Sequence, residues 1–400
     1  MGLPANKKLK ILMICDFYGI SQQYQENMIA KYYALMGHEV HIIANNFTDV
    51  FNYINDINHN PEAAYTETDG YATIYRTAFR FKYKKLFKLY TNIRQRVEEI
   101  APDLIYFHNL SLNLHEVIPF KKKNKNTRII MDFHIDYSNI GQSWKSLHIL
   151  HGFIRKNYLK AYLKYITVVY PIVPNGIDFI QEIYGVPAQK TRLLPLGYDE
   201  IVADDIRQNT DREDIRNKIG IKDDDFLIIS GGKFNEEKRT ELLLEATNLL
   251  KDHQIHVLIF GAASAKEEAY ANKLKKIANT NVKFLGWLSG QEILTYMHAA
   301  DLAVYPSSQS VLWQQSIGMY LPLILGDAGN QDPTYLNRND NIIVLKKDEI
   351  NTPTIAHWIK TIKKDKNLYH SMKLGAEKTA QEYLRYTRIC QTTIDDAFSA

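Results

Sequence analysis

Four hundred residues, 45% hydrophobic and 24% charged, exceed one ordinary domain and supply core for two. The net charge of +4 is unevenly spread: residues 1–200 carry 24 Lys+Arg against 18 Asp+Glu, the remainder 25 against 27. That mild N-terminal excess suits an anionic partner or a membrane surface, or serves solubility alone, and no nucleic-acid partner is expected. No run of about eighteen apolar residues occurs, which excludes a bilayer-spanning helix. Two distant cysteines, Cys15 and Cys390, exclude a disulfide framework and set the expectation of a reducing cytoplasm.

The chain opens on lysines and the apolar run Lys10 to Cys15, followed by Asp16 and Gly19. This reads as a buried first strand and its turn rather than a signal peptide. Gln22 to Met36 has helical periodicity and stops at Gly37, and Val40 to Ala44 is a second strand. A βαβ opening predicts a doubly wound sheet, which binds ligands at the carboxyl ends of its strands, where Gly19 lies. Asn45 to Asp69 reads as a long polar loop and Tyr71 to Ala78 as a strand. Phe79 to Ile100, with Arg80, Lys82, Lys84, Lys85, Lys88, Arg94 and Arg96 among apolar residues, predicts a basic amphipathic helix, its apolar stripe set in the core or on anionic lipid.

Pro102 to Phe107 and Arg128 to Phe133 are further strands, ending at His108 and at His134, with Asp136 two residues on. Two histidines at neighbouring strand ends, one beside a carboxylate, mark a candidate site. His148 and His151, on a helix from Ser143 to Lys164, lack a third ligand at metal spacing and read as a helix face. Tyr165 to Tyr170 reads as a strand, Asn175 to Tyr184 as a helix and Lys190 to Leu196 as a strand. An acidic, polar stretch follows, predicting a linker and then a surface helix. The first domain is thus expected over 1–203.

The second half repeats the plan. Phe226 to Ser230 predicts a buried strand, Gly231-Gly232 a turn, and the residues from about Glu236 a helix. Strand, glycine turn and helix place backbone amides beside an anion. Lys233, Lys238 and Arg239 lie there as counter-charges to a diphosphate, or as solvated lysines of an ordinary βα turn. Strands at 256–260, 282–285, 302–305, 323–325 and 342–345 alternate with helices at 266–278, 291–300 and 313–320, and a helical run, broken near Lys366 and Tyr386, closes the chain. The architecture predicted is α/β, with two Rossmann-like doubly wound domains facing a central cleft. The second covers 204–380, and residues 381–400 read as helical.

Taken together, KILMICDFYG, GHEVHIIA, PDLIYFHN, YGVPAQKTRLLPLGYD, SGGKFNEEKR, VKFLGWLS and ADLAVYPS, in this order and spacing, resemble the retaining nucleotide-sugar glycosyltransferases of the GT-B, group 1 or family 4 class. The resemblance implies transfer of a sugar from a nucleoside-diphosphate sugar, UDP-linked, to a hydroxyl acceptor such as a lipid-linked glycan in polysaccharide assembly. It implies no resident cofactor, no metal, and a C-terminal helix over 381–400 that crosses back to the first domain. Lys238 falls on the family lysine that binds the donor diphosphate; Lys233 stands where arginine is usual, keeping charge but losing the planar fork. The second of two family glutamates falls on Gln315, and a shortened loop leaves Ser308, Gln309 and Ser310 in place of the first. His134 resembles the histidine that faces the donor sugar, and Gly19 belongs to the first-loop glycines. Lys238, Lys233 and His134 are thus the expected catalytic groups. Gly19, Gly231, Gly232, Gln315, Ser308, Ser310 and Asp136 are the expected binding residues. The same scaffold also admits a phosphorylase or epimerase, or a transferase-like partner without catalysis.

Overall fold

The computed structural model describes residues 7–20, 22–47, 49–55, 64–83, 86–141, 143–307, 309–329 and 332–399. Two compact units emerge: Met1–Pro195 together with Tyr386–Ala400, and Leu196–Arg385.

The first unit holds β1 (Lys10–Ile14), β2 (Glu39–Asn45), β3 (Tyr65–Thr68), β4 (Ala72–Thr77), β5 (Phe79–Tyr83), β6 (Phe87–Tyr90), β7 (Leu104–His108), β8 (Arg128–Phe133) and β9 (Val168–Pro171). Seven of these form one sheet in the order β3-β4-β2-β1-β7-β8-β9, parallel except for the antiparallel edge strand β3. Counting its six parallel strands along the chain gives 3-2-1-4-5-6, so the order reverses between β1 and β7, and ligand crevices form at such reversals. Alternation along each strand loads both faces. Ile11 and Met13 pack with Tyr386, Ile389 and Ile394 on one side, whereas Leu12 and Ile14 pack with Val97, Leu114 and Phe179 on the other. The closing helix Tyr386–Phe398 lies on helix Gln25–Leu35, stacking Tyr386 on Tyr32 with 5.7 Å between ring centroids.

The second unit holds β10 (Phe226–Gly231), β11 (Ile255–Phe260), β12 (Val282–Gly286), β13 (Leu302–Tyr305), β14 (Leu323–Gly326) and β15 (Ile342–Leu345). All are parallel, in the order β12-β11-β10-β13-β14-β15, again 3-2-1-4-5-6. Its reversal lies between β10 and β13.

Several elements differ from the sequence reading. The expected basic helix over 79–100 is an antiparallel hairpin, β5–β6, followed by a short helix, Ile93–Ile100. Phe79, Phe81 and Tyr83 alternate strictly with Arg80 and Lys82, and this period of two, with aromatic residues suited to a pleated surface, overrides the helical spacing. Lys84 and Lys85 lie outside the described residues. The expected loop at 45–69 contains helix Val50–Asn55 and β3. Residues 190–196 form no strand but a single bridge, Val169 to Thr191, after a turn at Ala188–Lys190; Pro195 has no N–H to lend a ladder. The expected linker begins with helix Glu200–Asn209, capped by Asp199 and burying Ala203 and Ile206 in the second unit's core. The division therefore falls at Leu196 rather than near residue 203, and the return to the first unit begins at Tyr386 rather than 381.

Candidate functional sites at the two strand-order reversals

In the second unit, β10 ends on glycines because no side chain fits. A Cβ on Gly231 would stand 2.6 Å from the Phe260 carbonyl oxygen, and one on Gly261 would stand 1.8 Å from that of Gly232. Gly232 and Gly261 also take φ of +119° and +124°, which favour glycine. The turn is tied to its neighbour by Gly232 N–H donating to Phe260 O (3.0 Å) and Phe234 N–H to Ala262 O (3.0 Å). Asn235 then accepts from Lys238 N–H and closes a single tight turn, Glu236–Lys238. Arg239 adopts φ +51°, and the helix starts only at Thr240. Its Thr240 N–H already donates to Tyr270 Oη (2.9 Å), so that amide is engaged within the unit.

The two lysines of the turn sit differently. Lys233 is exposed, whereas Lys238 is half-buried against Gly232 and donates through Nζ to Gln309 O at 2.9 Å. Burial pushes the Lys238 ammonium down to about 8, with Glu237 opposing and Lys233 adding to the fall. This bond joins the loop after β10 to the loop after β13, across the strand-order reversal. Ser310 Oγ accepts from Leu312 N–H (3.3 Å) at the start of helix Leu312–Gly318; Ser308 lies outside the described residues. Gln315 is half-buried on that helix, its Oε1 enclosed without a hydrogen-bond partner. Sequence reasoning missed the adjacent Gln314. With its amide turned to satisfy both ends, it accepts from Tyr335 Oη (2.9 Å) and donates to Ser310 O (3.2 Å) and Val311 O (3.3 Å), fixing the loop that receives Lys238.

In the first unit, Gly19 O accepts from Asn27 Nδ2 (2.9 Å), anchoring the first loop to the helix that begins at Gln25. The two predicted histidines do come together, through a carboxylate that sequence reasoning did not single out. Asp132, fully buried in β8, accepts at Oδ2 from His108 Nδ1 (2.8 Å), His134 Nε2 (3.2 Å) and Tyr106 Oη (3.0 Å). Its Oδ1 accepts from Asn109 N–H at 2.8 Å, and Asn109 Oδ1 accepts in turn from His134 N–H at 2.9 Å. Glu26 approaches His108 Nε2 at 3.5 Å. Burial alone would lower the His108 pKa, but Asp132 and Glu26 outweigh it and push it up to about 9. The same attraction holds the Asp132 carboxyl far below the usual carboxylate range against the cost of burial.

Among the described residues, His108, Asp132 and His134 are the group whose ligand atoms lie close enough, within 4.8 Å, to share a metal ion. Their donors and acceptor are already paired with one another. Asp136 does not join them: its carboxylate accepts from Ser138 N–H (2.7 Å) and Ser138 Oγ (2.5 Å), shaping the loop after β8. His151 is buried with Nδ1 2.8 Å from Tyr184 Oη, and burial, then Arg155, lowers it to about 4. At the carboxyl ends of β1, β2 and β4, a cavity of about 200 Å³ is lined by Asp16, Phe47, Tyr53, Ile54, Phe79, Lys82 and Lys88. Lys88, nearly buried, bonds Asp16 (3.1 Å) and Tyr53 Oη (2.8 Å) there.

Residues 27–200 match the family described as Glycosyltransferase Family 4, and residues 211–378 match that described as Glycosyl transferases group 1. The chain is 22% identical over 296 residues to EpsD of Bacillus subtilis, covering 69% of this chain and 67% of that one. It is 20% identical over 217 residues to the uncharacterized glycosyltransferase MJ1607 of Methanocaldococcus jannaschii, covering 53% of this chain and only 55% of that one. Anabaena HepE, solved in complex with UDP, matches with a TM-score of 0.68 and 17% identity over 98% of this chain and 100% of its own. A glycosyltransferase from Rickettsia africae matches with a TM-score of 0.67 and 15% identity over 97% of each chain. At these identities the solved structures establish a shared fold.

Proposed function

Because the chain belongs to the group 1 and family 4 glycosyltransferases, we propose that it moves a sugar from UDP to a hydroxyl acceptor with retention at the anomeric carbon. The observation that carries this reading is Lys238, half-buried over a glycine turn at the strand-order reversal of the second unit. The binding of UDP and UDP-glucose by HepE, a protein of the same fold, supports the choice of donor.

As the bond between the sugar and the diphosphate breaks, negative charge develops on the departing phosphate oxygen. Lys238, with Lys233, neutralises it, a role that needs no metal ion or resident cofactor. The acceptor oxygen attacks the anomeric carbon from the face the diphosphate leaves, and its proton passes to the departing phosphate oxygen. His134, held through Nε2 by Asp132, keeps Nδ1 for a sugar hydroxyl. Gly231 and Gly232 admit the diphosphate, Ser310 and Gln315 meet the donor, and Gly19 and Asp136 shape the acceptor side. Release of sugar from UDP-sugars without acceptor is expected to fall about 10²–10³-fold in Lys238→Ala. In the parent, kcat/KM for donor falls as pH rises through about 8, and Lys238→Arg moves that limb upward. Unchanged hydrolysis in Lys238→Ala would leave a non-catalytic partner as the reading, favoured by Lys233 and Gln315 in place of the usual arginine and glutamate.

The acceptor is proposed to be lipid-linked and met at the cytoplasmic face of an anionic membrane, in polysaccharide assembly. Support comes from helix Lys145–Arg155 rather than from a basic helix over 79–100. Its i→i+5 bonding brings residues four to five apart onto one face. Trp144 (68% exposed), Ile149 and Phe153 (65%) line up there, with Lys145, Arg155 and Lys156 beside them. Arg155 donates to Leu86 O (3.3 Å), linking this face to the hairpin that exposes Phe81, Tyr83 and Leu86. Apolar rings among cations are the chemistry of an anionic bilayer surface.

A further inference from the structure

We propose that a basic groove in the second unit, at the amino ends of its strands, is an anion site for a ligand carrying a doubly charged phosphate group. It stands apart from the donor reading and does not depend on it. The Lys238 turn lies at the carboxyl ends of the same strands, about 20 Å away along the six residues of β11.

The groove encloses about 680 Å³. Lys251, Asp252 and His253, in the turn between helix Thr240–Leu250 and β11, form one wall. Lys360, Lys363 and Lys364, on helix Thr352–Lys364, form the other. The two helices pack side by side and are tied at both ends. Thr352 Oγ1 donates to Glu245 Oε2 (2.8 Å), and Lys363 Nζ to Asp252 Oδ2 (2.6 Å). Asp252 Oδ1 also accepts from Gln254 N–H (3.0 Å), and Ile255, buried at the start of β11, closes the base. The cations therefore stand on a fixed frame.

The plainest reason for lysines here is that two helices end at this edge, each presenting about half a negative charge. Counting shows that this is not the whole reason. The two helix ends and Asp252 together supply about two negative charges. Lys251, Lys360, Lys363 and Lys364 supply four positive ones, with His253 taken as neutral. About two positive charges are left over. Among the described residues no carboxylate pairs with Lys251, Lys360 or Lys364. Asp365, next along the chain, is engaged in capping the following helix, where it accepts from Asn367 and Leu368 N–H.

The arrangement also works against the helix that carries it. Lys360 and Lys364 lie four apart on one face, where like charges oppose helix formation. A cleft walled by one sign of charge concentrates counter-ions. A phosphate monoester, or the end of a polyphosphate, brings the negative charge that balances the excess. Lysines suit such a ligand, because their flexible stems bring point charges onto it without a fixed geometry.

Inorganic tripolyphosphate is the probe, titrated by calorimetry into the full chain with UDP in excess. The parent is expected to bind it at low salt and to lose it as salt is added. Lys360→Gln with Lys364→Gln should weaken binding at least tenfold. Lys346→Gln with Lys347→Gln, which removes the same charge from the exposed turn after β15, should not. Lys238→Ala should leave tripolyphosphate binding unchanged, which separates the groove from the donor turn. All four paired lysines are exposed, so both double variants should keep the parent's melting temperature. Phosphatidic acid vesicles then tell the sources apart. Less co-sedimentation of Lys360→Gln with Lys364→Gln than of the parent makes the ligand a lipid headgroup, and equal co-sedimentation makes it a soluble phosphate compound. Absence of tripolyphosphate binding by the parent, equal loss in both lysine pairs, or loss only in Lys238→Ala overturns the proposal.

Discussion

His108 holds a proton at neutral pH that the unfolded chain would release, and this ties the stability of the first unit to pH. Its pKa rises from 6.5 to about 9 on folding, because the carboxylates of Asp132 and Glu26 outweigh burial. That rise corresponds to a stabilisation of about 3 kcal/mol. The depressed Asp132 pKa describes the same attraction and adds nothing further. Since the folded pKa is the higher, the stabilisation is complete below pH 6.5 and is lost as pH climbs through 9. The perturbation is His108→Gln, which keeps a hydrogen-bonding amide but cannot carry charge. Urea unfolding of parent and variant at pH 6.0 and 9.5 gives the cost at each pH, and the difference between those costs cancels every other titrating group. The cost at pH 6.0 is expected to exceed that at pH 9.5 by about 3 kcal/mol. Costs equal within about 1 kcal/mol would mean that His108 is neutral when folded, and the charge assignment would be wrong.

Gly261→Ala forces a methyl group against the Gly232 carbonyl oxygen at φ +124°, and should cost more than about 3 kcal/mol and abolish UDP binding. Gly286→Ala, at φ +72° but in open space, should cost only about 1–2 kcal/mol; equal melting temperatures for the two would contradict the close packing of Gly261 on the Gly232 carbonyl. Trp144→Ser with Phe153→Ser should lower co-sedimentation with phosphatidylglycerol vesicles at least tenfold, and added salt should weaken the parent's binding. Equal binding of parent and variant, or equal binding to neutral vesicles, would refute the membrane face.

What was legible in the sequence follows from range. Strands buried on both faces, such as Lys10–Ile14 and Phe226–Gly231, announce themselves as continuous apolar runs closed by turn residues. The lysine-bearing glycine turn is likewise local. Errors arose where two periods competed, as at Phe79–Tyr90, or where a helix's apolar stripe was thin. Helix Glu200–Asn209 buries Glu200, Ala203 and Ile206 and little else. Asp132 was hidden for a different reason. It sits inside the apolar run Arg128 to Phe133, and its meaning depends on His108 from the neighbouring strand and Glu26 from a distant helix. A charged residue within an otherwise apolar strand, two before a histidine, was the available signal, because such a charge must be paired.

The departures from the family pattern fall where they would weaken the proposed donor site least. A solvated cation attracts a phosphate at 4 Å with about 1 kcal/mol, a partly desolvated one with about 4 kcal/mol. Lys233, which replaces the usual arginine, is the exposed member of the pair, whereas Lys238, which keeps the family residue, is half-buried and positioned by Gln309 O. In the proposed mechanism most of the electrostatic gain on a leaving diphosphate would therefore rest with the retained cation. Gln315 follows the same logic. Its Oε1 is enclosed without a partner, and a carboxylate there would carry a desolvation cost that only a nearby cation could offset. The neutral amide avoids that cost, and the donor contact proposed at this position would rest on hydrogen bonding in place of charge.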